Sequence, residues 1–198
     1  MEVTRIYHSA ILTGILAYGA GVWAHTARKV KHIQLLRKIQ RQLLLRCLGI
    51  VSTTSTMAIM VALAIWPIDV TIRKKGAMFW IKRKEYEKTR NVIRKLCISA
   101  REVKEILITE WQREWNSVTT GRKTYNFFPN IRDRLKLKTI QPNKEGIQYI
   151  TGHGPFDTYF KKIGKYENDK CNVCNVQGTP EHTLFECIKH KTYYTKID

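Results

Sequence analysis

The sequence predicts a mainly α-helical protein in which a helical bundle is followed by a loop-rich segment that contains a compact group of cysteines and a histidine. Apolar residues recur at three- and four-residue steps over most of residues 26–115, as in amphipathic helices. From residue 122 onward Gly, Pro, Asn and aromatic residues become frequent, which favours short helices, turns and loops. With 198 residues, 43% of them hydrophobic, the chain is long enough to bury a core.

The net charge is strongly positive. The chain has 35 Lys and Arg against 16 Asp and Glu, a formal charge of +19. Residues 71–145 hold 20 of the basic and 8 of the acidic side chains, a net +12. An enzyme for small neutral substrates does not need this charge, so we expect a polyanionic partner. RNA or DNA fits best, because Lys and Arg release counterions from phosphates; an acidic membrane surface is the weaker alternative.

Two apolar runs have a composition that targeting or membrane segments share. Residues 10–24 resemble the apolar region of a signal peptide, but they contain three glycines and the preceding residues include Glu2 beside Arg5. Residues 57–66 are stopped by Pro67 and are much shorter than the roughly 20 residues that a membrane crossing needs. We therefore expect both runs to be core helices, with no membrane partner.

An amphipathic helix is predicted over residues 26–48, with Gly49 as its end. The hydroxyl-rich turn at residues 52–56 is expected to cap the next helix, at 57–66.

A long basic helix is predicted over residues 69–90, with Asp69 as its N-cap. Its buried side is expected to carry Ile72, Met78, Phe79 and Trp80. Its outer side holds two basic triplets, Arg73, Lys74 and Lys75, and Lys82, Arg83 and Lys84. A charge run of this kind is most often only a solvated face, but these six residues are also candidates for phosphate contacts.

Ser99 and Glu102 form a capping box that predicts a further helix start. The apolar positions that follow repeat at helical spacing as far as Trp115, and Gly121 is expected to end the helix. We place a domain boundary near Thr120.

Four residues near the C-terminus have the spacing of a metal site. They form the pattern C-x2-C-x7-H-x4-C, with the ligands Cys171, Cys174, His182 and Cys187. Three thiolates and an imidazole suit tetrahedral zinc, and because all four positions are protein ligands, the zinc would be structural. The alternative is chance clustering of Cys and His.

A mixture of basic and aromatic residues follows residue 121. Cations can contact phosphates while exposed rings stack on unpaired bases. An alternative of equal weight is that Phe127 and Phe128 are core residues. The mixture comprises Arg122, Lys123, Tyr125, Phe127, Phe128, Arg132, Arg134, Lys136 and Lys138.

Other catalytic patterns are absent from the sequence. It has no Gly-rich phosphate loop, no Gly-x-Ser-x-Gly elbow and no His-Glu-x-x-His pair. His153 lies between two glycines, and a turn role is the simpler interpretation. Paired carboxylates for two Mg ions are also lacking, so we expect no phosphoryl transfer by the chain itself.

Several blocks of the sequence, taken in order, resemble a known family. They are ILAYGAGVWA (15–24), STTSTMAIMVALAIWPIDV (52–70), GRKTYNFFPNI (121–131), QYITGHGPFDTYFKKIGKY (148–166) and CNVCNVQGTPEHTLFEC (171–187). This order resembles the C-terminal region of insect non-LTR retrotransposon reverse transcriptases, especially the type that inserts into ribosomal RNA genes. Asn175 departs from the usual Gly after the second cysteine, but Asn tolerates a left-handed backbone.

The resemblance implies a fragment of a Pol polyprotein, whose upstream endonuclease and RNA-directed DNA polymerase core would carry out target-primed reverse transcription with Mg. This chain would then comprise a helical thumb-like region (1–120), a basic and aromatic linker (121–166) and a CCHC zinc knuckle with its tail (167–198). Its partners would be element RNA, target DNA and the polymerase core. It would be intracellular and would act in the nucleus. The fragment would bind zinc and nucleic acid without catalysis.

Two other functions remain open from the sequence. The first is a freestanding nucleic-acid-binding zinc-knuckle protein without catalytic activity, and the second is a membrane-inserting basic protein.

Overall fold

A computed structural model describes residues 2–137 and 139–189, and over these residues the protein is mainly helical, as predicted. A π-helical turn (Tyr7–Leu12) joins the first two helices, and a 3-10 turn (Ala24–Arg28) precedes α4. The helices are α1 (Glu2–Ile6), α2 (Thr13–Leu16), α3 (Ala20–Trp23), α4 (Val30–Leu48), α5 (Thr56–Ala62), α6 (Ile68–Lys82), α7 (Glu87–Ile93), α8 (Ala100–Ser117), α9 (Arg122–Phe127), α10 (Ile131–Lys136), α11 (Lys144–Thr151) and α12 (Asp157–Lys162).

The first apolar run does not form one helix. Gly19, with φ of 62°, breaks it into α2 and α3, which leave Ile15 and Tyr18 exposed while Ala20 is buried. Within the described residues no single helix has the length and apolarity to cross a membrane. One pair, Thr4–Leu16 and Ala20–Arg28, bent by 64°, meets that test by length and composition.

The predicted ends of α4 and α5 rest on local chemistry. Gly49 ends α4 in the left-handed conformation, φ 59°, as expected. The Ser55 hydroxyl accepts from the backbone N–H of Ala58 and so caps α5. That helix is shorter than predicted, because Ala64 adopts φ of 52°.

The predicted long basic helix is in fact two helices, α6 and α7. Lys84, with φ of 59°, turns the chain between them, and the Trp80 carbonyl accepts from the N–H groups of both Arg83 and Glu85. Asp69 is not the N-cap, because α6 begins at Ile68 after Pro67.

The buried face of α6 also differs from the prediction. Met78, Phe79 and Trp80 are only half-buried, whereas Arg73, Gly76 and Ala77 are buried. The cause is a close approach to α3. A Cβ atom on Gly76 would lie 2.4 Å from the Ala24 Cβ and 2.8 Å from the Ala20 carbonyl oxygen. Because Gly76 has no side chain, α6 can pack directly against the end of α3. The face of α6 that carries Arg73, Gly76 and Ala77 therefore points to the interior.

Helix α8 starts at the predicted capping box. The Ser99 hydroxyl accepts from Glu102 N–H at 3.2 Å, and the Glu102 carboxylate accepts from Ile98 N–H at 3.0 Å. The helix ends at Ser117, so Gly121 does not end it; with φ of 74°, this glycine instead precedes α9.

Two hydrophobic clusters form the core. The first surrounds α5 and includes Trp111 and Trp115 of α8 together with residues of α10 and α11. The second packs α6 and α7 against the N-terminal helices and the start of α8. Half-buried Trp66 contacts both clusters. Side chains from before and after residue 120 therefore share the first cluster.

Candidate metal centre and basic surfaces

The first two candidate ligands lie in a tight turn closed by backbone hydrogen bonds. Cys171 N–H donates to the Val176 carbonyl at 2.8 Å, and Asn175 N–H donates to the Cys171 carbonyl at 2.9 Å. Asn175 has φ of 56°, so the left-handed conformation expected there is confirmed. The turn aims the thiols of Cys171 and Cys174 to the same side.

The other two ligands are brought together by a π-helical turn, His182–Glu186. Five residues of α-helix would rotate His182 and Cys187 about 140° apart. The wider π turn reduces this angle, and its hydrogen bond from Cys187 N–H to the His182 carbonyl is 2.7 Å long. His182 and Cys187 therefore face the first pair.

The four ligand atoms have the spacing that a tetrahedral metal requires. All lie within 4.8 Å of one another. The Cys187 sulfur is 3.7 Å from that of Cys171 and 3.8 Å from that of Cys174. Zinc–sulfur bonds of about 2.3 Å would place tetrahedral sulfurs about 3.8 Å apart. The cluster can therefore hold a metal ion of this size with little movement.

A ring nitrogen of His182 also supports metal binding by this cluster. The Nε2 atom of His182 is buried and has no hydrogen-bond partner among the described residues. The Nδ1 atom lies 3.7 Å from a carboxylate oxygen of Glu186, too far for a hydrogen bond but on the side of the ring opposite Nε2, where a carboxylate can orient a metal-bound histidine by moving closer. Glu186 was missed in the sequence analysis, although its i+4 spacing from His182 was a usable signal.

The thiols differ in their environment. Backbone N–H groups of Cys174 and Val173 lower the pKa of the Cys171 thiol to about 6. Burial raises the pKa of the Cys187 thiol. The turn thus already stabilises one thiolate, the form that binds metals.

The segment that carries the four candidate ligands is attached to the short helices before it. Both the N–H and the hydroxyl of Thr158 donate to the Gly178 carbonyl at 3.2 Å. Gly178 has to be a glycine at this approach, because a Cβ atom there would lie 2.1 Å from an Asp157 carboxylate oxygen. On the other side Lys123 pairs with Glu181 at 2.9 Å.

Four of the predicted phosphate-binding residues lie together along α6, where they line a shallow groove of about 640 Å³ with no acidic residue among its described lining. The Arg83 guanidinium stacks 3.6 Å from the centre of the Phe79 ring. Burial and the nearby charge of Lys104 lower the pKa of Lys74. We call this surface the α6 groove; its cations are Lys74, Lys75, Lys82 and Arg83.

Arg73 and Arg134 are placed differently from the prediction, because both are buried. Arg73 is 7% exposed and pairs with Glu110 at 2.7 Å. Arg134 is 1% exposed and donates to the carbonyls of Ala62, Leu137 and Ile140. Their guanidinium groups are occupied by the protein itself, which argues against phosphate contacts for these two residues.

The remaining predicted cations are at the surface. Lys84 is exposed in the turn between α6 and α7, and Arg132 is paired with Glu105. Arg122 stacks on Tyr125, 3.7 Å from the ring centre. Lys138 lies outside the described residues.

The two phenylalanines separate into different roles. Phe128 packs against the first cluster, and its carbonyl accepts from the Trp115 indole at 2.9 Å. Phe127 is 41% exposed beside Tyr149 and stays a candidate for stacking on a base. The ring N–H at Nδ1 of His153 donates to the Thr151 carbonyl at 2.9 Å, consistent with a turn role.

Comparison with known proteins gives one consistent result. The chain is 22% identical over 185 residues to the Retrovirus-related Pol polyprotein from type-1 retrotransposable element R1 2 of Nasonia vitripennis. It is 26% identical over 194 residues to the putative 115 kDa protein in type-1 retrotransposable element R1DM of Drosophila melanogaster. A Pol polyprotein of element R1 from Bradysia coprophila is 25% identical over 193 residues. The resemblance to type-1 retrotransposon Pol polyproteins is confirmed.

These matches cover 90%, 92% and 94% of this chain, in the same order. The chain spans 45% of the Nasonia protein and 19% of each of the other two. No family model and no solved structure matches it. The similarity therefore supports a segment of a retrotransposon Pol polyprotein and does not favour the freestanding alternative.

Proposed function

We propose that the chain is a nucleic-acid-binding, zinc-stabilised segment of an R1-like Pol polyprotein. In the parent protein it would act as a thumb-like region that holds the template and primer for an upstream RNA-directed DNA polymerase core. The Mg-dependent chemistry of synthesis, and the nicking of target DNA in the nucleus, would belong to the upstream part. The isolated chain is expected to be inactive.

The α6 groove is the observation that carries this proposal. Its four cations follow one helix and face no acidic side chain in the described lining, so they are available to a polyanion. Contacts from Lys and Arg to phosphates supply affinity without reading the base sequence. Phe79 lies under Arg83 and contacts its guanidinium by a cation–π interaction within the groove.

The metal centre would have a structural role in this proposal. The four ligands would occupy every position of a tetrahedral zinc, which leaves none for a reacting water. The metal would hold the turn of Cys171 and the π turn of His182 together. It would also fix the knuckle, with its attachment to Lys123, next to the basic linker.

A charge-reversal variant tests the proposal. Binding of a 20-base-pair RNA–DNA hybrid is measured by fluorescence anisotropy between 50 and 200 mM salt. The Lys75→Glu, Lys82→Glu, Arg83→Glu variant removes three phosphate contacts, so the slope of log affinity against log salt should fall by about 3. Affinity at 100 mM salt should drop by at least about tenfold for every sequence tested.

The matched control reverses three exposed cations outside the groove, Lys31, Arg46 and Lys95, and so keeps the net charge of the two variants equal. In this control variant, the slope of log affinity against log salt should stay close to that of the wild type. Equal losses in the two variants would show that only the total charge matters and would contradict the assignment to the α6 groove.

A further inference from the structure

A large cleft lies on a part of the molecule that the α6 groove does not include. It has a volume of about 980 Å³ and shares no lining residue with that groove. Its walls come from four segments: α4, the turn at 52–56 with α5, the end of α8 with residues 118–123, and the stretch from Thr151 at the end of α11 to Lys162 at the end of α12. Because these parts are far apart in the sequence, no linear pattern marks the cleft.

The cleft is strongly basic. Six Lys and Arg residues line it against one carboxylate, Glu114, which is already paired with Arg37. Three of the cations are exposed and have no acidic partner among the described residues. These three are Lys38, Arg122 and Lys162.

Hydroxyl groups stand among the cations. Thr53, Thr119 and Thr120 are exposed at the cleft, which places neutral donors beside the charged ones. Phosphate oxygens in nucleic acids are contacted by this combination of Lys, Arg and hydroxyl side chains.

The described lining includes no Phe, Tyr or Trp side chain. Binders that grip unpaired bases do so with aromatic rings, and the only ring in this described lining is the half-buried imidazole of His153, which is already bonded to the Thr151 carbonyl, so the cleft offers little surface for stacking. Its chemistry fits the sugar–phosphate backbone rather than the bases, and this predicts binding without sequence preference.

The walls are held in place before any ligand binds. Arg41 donates to the Thr54 carbonyl and to the Thr56 hydroxyl, each at 2.6 Å, and so fixes the 52–56 turn to α4. Gly121 lies against α5, where a Cβ atom would be 2.8 Å from the Ala58 Cβ. A preformed site avoids part of the ordering cost of binding.

We infer that this cleft is a second nucleic-acid site, which holds a strand by its phosphodiester backbone through Lys38, Arg122 and Lys162. The inference rests on the proposed function, because it assumes that nucleic acid is the ligand. It adds a site with no residue in common with the α6 groove, so the strand would be held at two places.

The test uses the full chain and the same RNA–DNA hybrid, with a 20-nucleotide RNA as a second probe. In the Lys38→Glu, Arg122→Glu, Lys162→Glu variant, the slope of log affinity against log salt should fall by about 3. This variant should also bind both probes at least about tenfold more weakly at 100 mM salt. The same loss should appear with probes of different sequence. The Lys31, Arg46 and Lys95 reversal again serves as the control of equal charge.

A second measurement needs no variant. Acetylation of wild-type lysines is followed by mass spectrometry with and without the hybrid. Protection of Lys38 and Lys162, with Lys31 and Lys95 unchanged, supports the inference. If Lys75 and Lys82 alone are protected and the cleft variant binds as the wild type does, the cleft inference fails while the proposed function stands. If the wild-type chain binds neither probe, both fail.

Discussion

Arg37 connects three helices through one guanidinium. From α4 it donates to Asp69 of α6 at 2.7 Å and to Glu114 of α8 at 3.0 Å. Burial lowers the Arg37 pKa, but the hydrogen bonds to the two carboxylates outweigh burial, and the pKa is raised overall. Asp69 is 2% exposed, and Arg37 is its only ion-pair partner among the described residues.

Replacing Arg37 with Met should therefore lower the free energy of unfolding by about 3–5 kcal/mol, because a buried carboxylate loses its partner. Urea unfolding at pH 7 measures the change. The control is Arg90→Met, whose pair with Glu87 is exposed, and it should cost less than about 1 kcal/mol. Adding Asp69→Asn to the Arg37 variant should recover part of the loss; no recovery would contradict the explanation.

His8 makes the stability depend on pH. Burial lowers its pKa from 6.5 to about 4, and its Nε2 lies 2.7 Å from the Gln40 side-chain nitrogen. As the pH falls below 6.5 the unfolded chain binds the proton while the folded chain does not. Stability present above pH 6.5 is thus lost progressively as the pH falls to 4, by about 3 kcal/mol.

The measurement is the free energy of unfolding of the wild type and of His8→Asn across pH 4–7. Their difference isolates the histidine from the carboxylates that titrate in the same range. The free energy of unfolding of the wild type should decrease relative to that of the variant as the pH falls. A difference that does not change with pH would show that His8 does not carry the effect.

At the scale of helices, the sequence predicted those boundaries that depend on neighbouring residues. The capping box at Ser99 and Glu102, the glycine end of α4 at Gly49 and the cap at Ser55 all act within four residues. The spacing of four residues within one short segment likewise predicted the Cys/His cluster, which the structure brings together as a group that could hold a metal ion. Signals of this kind need no knowledge of the rest of the chain.

The misses came from contacts between distant segments. The inward face of α6 is set by α3, about fifty residues earlier, so its own periodicity pointed elsewhere and put Arg73 outside. The basic cleft is likewise assembled from four segments, and only Arg122 and Lys123 of its cations had been singled out. Tertiary packing decides such positions, and contacts between distant segments cannot be inferred from the local patterns of a single sequence.

The close approach of α6 to α3 gives a direct prediction. Gly76→Ala would place a methyl group 2.4 Å from the Ala24 Cβ, so the helices must separate. We expect a net loss of about 1–3 kcal/mol in thermal or urea unfolding, although Ala is the better helix former. Gly14→Ala is the matched control, because nothing lies within 4 Å of its Cβ position, and it should stabilise by up to about 1 kcal/mol.

For the whole molecule, we predict one zinc per chain, bound apart from the main core. Neither hydrophobic cluster includes a buried residue beyond Ile150 among those described, so metal removal should unfold the knuckle and leave most helical signal intact. Metal analysis should give about one zinc for the wild type and for Cys47→Ser, and much less for Cys174→Ser. A stoichiometry near zero in the wild type would refute the structural-zinc assignment.

The make-up of the first hydrophobic cluster also fixes the order in which the chain becomes stable during synthesis. When residue 120 has been made, α5 and α8 exist as sequence, but Ile131, Ile147 and Ile150, which complete the same buried cluster as Trp111 and Trp115, have not been translated. About thirty further residues must leave the ribosome before that core closes. Until then the nascent chain presents two tryptophans and the apolar faces of α5 and α8, a species that is prone to aggregation and suited to chaperone capture.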